Sequence, residues 1–300
     1  MMYAATAVAE IKSKVAQSVE RIRKESERSP KLVALLIGDD PVSRTYVDLK
    51  RKDCAEVGIT SEVIDLSSYS KEEMPSKVVE TLTTLNADSS VNAIIPQMPF
   101  DGKVGEELVF STLSPDKDVD GLTPYSLGKL VRREYTLEGS LLPCTPKGVV
   151  LLARHYGVPI AGSDVAIVGR SVLVGEPVRK LFQDLNATST CYHTGSKRLI
   201  ERLREADIVV AASGRPPELF GSSGFRLSGK MVKEGCSVFS VGVRRDPKAE
   251  KMLFDIEIST LKGKCAFLTP NTGGVGAMTR ACLLQNTVIA TEIQMRKNAD

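Results

Sequence analysis

The stretch SRTYVDLKRK, residues 43 to 52, carries a tyrosine and a lysine four positions apart. On a helix, side chains at that spacing share one face. Tyr46 and Lys50 would then present a ring and an amine to the same surface. The plain reading is a solvated face with a half-exposed aromatic. The chemical reading is a catalytic amine beside a ring that stacks on a flat substrate. A lysine relays protons near neutral pH only if burial or neighbouring cations lower its pKa. Two more stretches in this half carry usable groups. Gln97 ends an apolar run and is boxed by Pro96 and Pro99. PDKDVDGL, residues 115 to 122, sets Asp118 and Asp120 against Gly121, either as a structural turn or as paired carboxylates at a cleft. Oxygen ligands are too few there to argue a metal.

The second half carries a different chemistry. IVGRSVLVGEP reads as a strand running through Gly169 into a helix opened near Gly175. Such a turn holds a dinucleotide pyrophosphate, because glycine admits the phosphates and the helix N-terminus offers free N–H groups. The spacing is Gly169-x5-Gly175 and not G-x-G-x-x-G, so a plain strand-to-helix turn stands beside that reading. Arg170 and Ser171 add a cation and a hydroxyl where an adenosine ribose would lie. After the next strand comes YHTGSKR, where enzymes that use NAD place Asp or Glu on the ribose. His193, Thr194, Ser196, Lys197 and Arg198 supply donors and positive charge, and no carboxylate. A 2′-phosphate suits that set, so NADP is expected. The alternative is a polar surface loop in which His193 caps a strand. Further on, LTPNTGGVGAMT puts Gly273 and Gly274 ahead of a helix, suited to tight packing or to an anion.

The elements that must position these groups are legible from periodicity. Residues 8 to 28 form an amphipathic helix, with Val8, Ile11, Val15, Val19 and Ile22 at helical spacing. KLVALLIG is a buried parallel strand. A turn at 38 to 41 opens the helix of Tyr46 and Lys50, which closes at Gly58. EVIDLS, a helix over 71 to 85 and the strand VNAIIPQMPF follow. Alternation of this kind builds a parallel α/β layer, whose ligands bind at the carboxyl ends of the strands. Residues 38–50 and 96–100 should therefore converge. The second half repeats the pattern: a helix over 143 to 156, DVAIVGRS, a helix over 175 to 185, ATSTCYHT, SKRLIERLREA, DIVVAASG, CSVFSVG, KCAFLTP and a closing helix over 276 to 297.

Composition sets the bounds. Three hundred residues suggest two domains. Hydrophobic residues make 42% and charged residues 26%, as in ordinary globular enzymes. A net charge of +3, evenly spread, argues against nucleic acid. No apolar run approaches the roughly 20 residues that span a bilayer, so no membrane partner is expected. Six cysteines without a C-x-x-C pair, and two histidines, give no metal site. The opening residues lack a secretory pattern and are poor in arginine, which weakens a mitochondrial address without excluding it, and reduced cysteines fit the cytoplasm.

Together, Tyr46-x3-Lys50, Gln97, KDVDGL, PCTPKG, VGRSxxVGxP and TPxxGGVGxMT resemble the bifunctional methylenetetrahydrofolate dehydrogenase/cyclohydrolase family, in the same order and from about residue 31 onward. The resemblance implies an α/β protein of two domains with a cleft between them. Residues 1–145, joined by the closing helix at about 277–300, would form a folate-binding catalytic domain. Residues 146–276 would form a Rossmann-type NADP-binding domain. It implies Lys50 as catalytic lysine, Gln97 working beside it, Tyr46 stacking on the folate and Asp120 holding the pterin, with Gly273 and Gly274 on the substrate. It implies Arg170, Ser171 and Thr194 at the 2′-phosphate, with Gly169 and Gly175 in the cofactor turn. A homodimer acting on tetrahydrofolate derivatives, in one-carbon metabolism that feeds purine biosynthesis, follows from the same likeness. A dehydrogenase without cyclohydrolase activity and a non-catalytic NADP sensor are the alternatives. The chain departs from the pattern at Asn271-Thr272, where Val-Pro is usual, at Ala277, where proline is usual, and at Pro96 and Met98 around Gln97. These changes put inhibitor affinity and the balance of the two activities in doubt.

Overall fold

The computed structural model describes residues 1–100, 102–246 and 248–299, leaving aside the side chains of Val42, Asn298 and Ala299. The chain divides into two compact units. The first comprises Ala9–Cys144 and Arg280–Asp300, the second Met1–Val8 and Thr145–Thr279.

The first unit is built on a short parallel sheet. Its chain runs α1 (Ala5–Ser26, from Ala9 on), β1 (Lys31–Leu36), α2 (Pro41–Glu56), β2 (Thr60–Asp65), α3 (Met74–Ala87), β3 (Ala93–Gln97), α4 (Glu106–Thr112) and α5 (Pro124–Arg132). The strand order is β2-β1-β3, parallel throughout. β1 lies in the middle, and its Leu32, Val33 and Leu35 are buried. Each such side chain contributes about 1.5–3 kcal/mol on leaving water. Val15, Val19 and Ile22 of α1 are buried as its periodicity requires. β2 starts two residues before the expected EVIDLS, because as an edge strand it alternates exposure and carries no continuous apolar run. The chain leaves β1 toward β2 and returns on the other side as β3, so the carboxyl ends of β1 and β3 flank the topological switch point, the usual place for a ligand. α4 and α5 were not among the expected elements. α5 had a readable start: Thr123 accepts the N–H of Ser126 at 3.2 Å and Pro124 takes the first helical position.

The second unit holds α6 (Cys144–His155, from Thr145 on), β4 (Asp164–Val168), α7 (Gly175–Asp184), β5 (Thr188–Tyr192), α8 (Leu199–Glu205), β6 (Ile208–Ala211), α9 (Pro217–Phe220), β7 (Ser237–Ser240), β8 (Val243–Arg245), β9 (Met252–Phe254), α10 (Ile258–Leu261), β10 (Phe267–Leu268) and the start of α11 (Val275–Ala299). Five parallel strands lie in the order β10-β7-β6-β4-β5. This is a doubly wound sheet whose switch point falls between β4 and β6. Val168, Val209, Ala211 and Val238 pack in its core with Leu203 of α8. KCAFLTP yields a strand of only two residues, since Pro270 has no N–H to continue a ladder. The antiparallel pair β8–β9 escaped the pattern reading because its residues are short of apolar alternation.

Among the described residues, no helix is long and apolar enough to cross a membrane, and no group of three or more His, Cys, Asp or Glu is placed to hold a metal.

Candidate active site

α2 begins where the sequence marks it. The Asp40 carboxylate accepts the N–H of Ser43 at 3.3 Å, and Pro41 occupies the first turn. From Ser43 a stripe runs along one face through Tyr46, Lys50, Asp53 and Cys54. Ser43, Lys50, Asp53 and Cys54 are buried, and Tyr46 is half-buried one turn before the lysine.

The Lys50 ammonium donates to Gln97 Oε1 at 2.7 Å. Gln97 is the last residue of β3, opposite Leu36 of β1. Its amide Nε2 donates to the Met98 carbonyl at 2.7 Å, which turns Oε1 toward the lysine. Ser43 Oγ reaches the same carbonyl at 3.2 Å. The two segments expected to converge at the strand ends, 38–50 and 96–100, are thus joined by side chains.

Lys50 is only 9% exposed. Burial pushes its pKa below the ordinary lysine value. Asp120, Cys144 and Cys54 pull it up, and Arg280 pushes it down with the burial. Desolvation is the largest of these influences, so the amine loses its proton more readily than a free lysine.

The two aspartates of PDKDVDGL have separate fates. Asp118 is fully buried and accepts the N–H groups of Leu122 at 3.1 Å and Thr123 at 2.8 Å, and the Ser126 hydroxyl at 2.7 Å. It is a structural turn residue at the head of α5. Asp120 stays half-buried and acts on Lys50. Gly121 follows it at φ +66°, where a Cβ would lie 2.5 Å from the Leu142 carbonyl carbon. Asn286 of α11 is buried and donates to the carbonyls of Val119 at 2.8 Å and Leu142 at 2.9 Å, closing that loop. The carboxylate pair therefore does not form, and one aspartate of the two faces the amine.

Some neighbours of the lysine were not singled out from the sequence. Asp53 is buried and takes Lys12 Nζ at 2.5 Å and Arg280 Nε at 2.6 Å on its two oxygens. Ser43 and Asp53 had a usable signal, since both fall on the helical face of Lys50. Arg280 had none.

In the second unit the turn after β4 is built from backbone. Gly169 has φ +134°, and a Cβ there would sit 2.3 Å from the Ala212 carbonyl oxygen. Only glycine lets the loops after β4 and β6 approach so closely at the switch point. Its N–H donates to Tyr192 O at 2.8 Å, tying the end of β4 to that of β5. Ser171 Oγ accepts the Val174 N–H at 3.2 Å, and buried Gly175 opens α7. Arg170, Ser171 and Thr194 are exposed at these strand ends, with Lys197 and Arg198 nearby. His193 is a loop organiser, as its Nδ1 accepts the Gly195 N–H at 3.1 Å. A bare turn, a helix start and a cationic set without a carboxylate fit a dinucleotide bearing a 2′-phosphate. Gly273, at φ +74°, and buried Gly274 lie in the loop before α11. Asn271, one of the departures noted above, lies 3.1 Å from Ser240 Oγ and accepts its hydrogen bond.

The model of the tetrahydrofolate dehydrogenase/cyclohydrolase catalytic domain matches residues 2–120, and that of the family's NAD(P)-binding domain matches residues 143–295. The bifunctional protein FolD of Pyrobaculum aerophilum is 40% identical over 267 residues, 88% of this chain and 86% of the relative. The crystal structure of a bifunctional FolD methylenetetrahydrofolate dehydrogenase/cyclohydrolase from Campylobacter jejuni is 33% identical, with a TM-score of 0.84 and 96% of each chain covered. The Trypanosoma brucei dehydrogenase-cyclohydrolase, solved with NADP and an inhibitor, is 28% identical with a TM-score of 0.86, covering 99% of this chain and 98% of its own. On these matches, the chain belongs to the tetrahydrofolate dehydrogenase/cyclohydrolase family.

Proposed function

We propose that this chain oxidises 5,10-methylenetetrahydrofolate to 5,10-methenyltetrahydrofolate with NADP and then hydrolyses the product to 10-formyltetrahydrofolate. The observation that carries the reading is the buried Lys50 amine, its pKa lowered, bonded at 2.7 Å to the Gln97 amide. Family membership supports it.

The chemistry divides between cofactor and chain. NADP, when bound, supplies the hydride acceptor. Arg170, Ser171 and Thr194 would hold its 2′-phosphate, and the Gly169–Gly175 turn would admit its pyrophosphate. Hydride loss leaves a cationic methenyl carbon on the folate. Water adds to that carbon, and Lys50 in its neutral form takes the proton. The same amine returns the proton to the folate nitrogen as the carbon–nitrogen bond opens, and the carbinol hydroxyl gives up its own proton to solvent as the formyl C=O forms. Gln97 orients Lys50 and the developing oxygen. Tyr46 stacks on the pterin, Asp120 accepts from its amino-pyrimidine edge, and Gly273 and Gly274 border the substrate. A homodimer in the cytoplasm, supplying formyl groups for purine biosynthesis, completes the proposal and rests on the family.

The test is one assay. With methylenetetrahydrofolate and NADP, the methenyl absorbance should rise and then fall. A rise that never decays means a dehydrogenase alone. No change means a protein that binds NADP without turnover.

A further inference from the structure

Lys50 has titratable neighbours from several segments. Asp120 faces it from the loop before α5, Cys54 from its own helix, Cys144 from the start of α6 and Arg280 from α11. Of these, Arg280 is the one cation. It is also anchored. Its Nε donates to Asp53 Oδ2 at 2.6 Å, while Lys12 Nζ holds Asp53 Oδ1 at 2.5 Å. Asp53 lies one helical turn beyond Lys50 and is buried. The guanidinium is therefore tied to α2 one turn beyond the amine, and of the influences on Lys50 named above its own is the smallest.

We propose that Arg280, anchored through Asp53, is a positioning residue for the Lys50 amine: a fixed cation on α11 that disfavours a second positive charge on α2. The proposal rests on the proton-relay reading of Lys50 given above. Two demands meet in this pair. A bare arginine near the amine would be mobile and screened, and a bare aspartate one turn away would hold Lys50 protonated. Paired, the aspartate spends its charge on Arg280 and Lys12, and the arginine is left close enough to act. The lowered pKa of Lys50, to which Arg280 adds in the same direction as burial, agrees with this arrangement.

The sign of the effect follows. Lys50 works in its neutral form, so hydrolysis of methenyltetrahydrofolate should rise with pH as the amine deprotonates. Removing the Arg280 charge eases protonation, raises the pKa and moves that rising limb to higher pH.

The experiment is the pH–rate profile of hydrolysis for wild type, Arg280→Gln and Arg280→Lys, with methenyltetrahydrofolate supplied directly. Arg280→Gln should shift the limb upward by roughly half to one pH unit. It should regain the wild-type rate above the limb. Arg280→Lys keeps the charge and should keep the limb. A uniform loss at every pH, an unmoved limb, or equal shifts in both variants would overturn the proposal. Should Arg280→Gln fail to fold with Asp53 left uncompensated, Asp53→Asn/Arg280→Gln removes the pair together and should still move the limb upward, by less than the single change because the Asp53 charge goes with it. Lys50→Met separates the two levels. If that variant still hydrolyses substrate, the relay reading fails. If it is inactive while the Arg280→Gln limb stays in place, only the role of Arg280 fails.

Discussion

The surroundings of Lys50 and the turn after β4 are built in opposite ways. Around Lys50 the backbone is ordinary helix and strand, and side chains do the placing: Lys50 on Gln97, Gln97 on the Met98 carbonyl, Asp53 on Arg280. After β4 the side chains stand exposed and the backbone does the placing, with Gly169 pressed toward Ala212. A site made of side chains is broken by changing one functional group while the fold persists. A site made of backbone is broken by adding a single carbon. Proton transfer needs one group at one protonation state, which burial of a side chain supplies. A pyrophosphate needs room and N–H donors, which a bare turn supplies.

This contrast can be broken or sharpened by substitution. The largest effect is expected for Lys50→Met. Hydrolysis of methenyltetrahydrofolate should fall by about 10²–10⁴-fold, the usual worth of a positioned acid–base group, with NADP affinity and thermal unfolding little changed. Steady-state rates and an NADP titration measure both arms, and a parallel loss of cofactor binding would break the contrast.

Gly169→Ala tests the backbone side. The added methyl would meet the Ala212 oxygen, in a conformation that L-residues avoid. A stability loss on the order of 1–3 kcal/mol is expected, together with weaker NADP binding. Hydrolysis of supplied methenyltetrahydrofolate, which consumes no NADP, should survive in the folded fraction. Calorimetry and the two separate assays decide this.

Arg170→Ala removes a charge from that turn and leaves its backbone alone. A hydrogen bond to a charged group contributes about 1.5–3 kcal/mol, so the KM for NADP should rise roughly tenfold to a hundredfold. The KM for NAD, which lacks the phosphate, should barely move. Equal rises for both cofactors would mean that Arg170 supports the loop.

Asp120→Asn should have the smallest effect. Asparagine keeps the shape and one acceptor, so the KM for folate should rise by about tenfold or less, the worth of one hydrogen bond, with NADP binding unchanged. Kinetics with each substrate varied in turn would expose any shared effect. Asp118→Asn makes the contrast sharper. Its carboxylate is committed to Leu122, Thr123 and Ser126, so that change should lower the unfolding temperature before it touches any KM.

Much of this was legible in the residues alone. The strand–helix alternation, the run KLVALLIG and the glycine turn at Gly169 depend on periods and dihedral preferances that are local, and local properties are written in order along the chain. The shared face of Tyr46 and Lys50 is equally local, because four residues make one turn of helix. Tertiary structure decided what locality cannot hold. Which aspartate of PDKDVDGL is structural depends on burial: Asp118 is enclosed by the head of α5, and Asp120 is left facing the amine. The protonation of Lys50 depends on groups from α2, the loop at 120, the start of α6 and α11. Asp53 and Arg280 stand 227 residues apart, and nothing in either neighbourhood points to the other. Desolvation and electrostatic coupling belong to the space around a group, and that space exists only once distant segments have packed together.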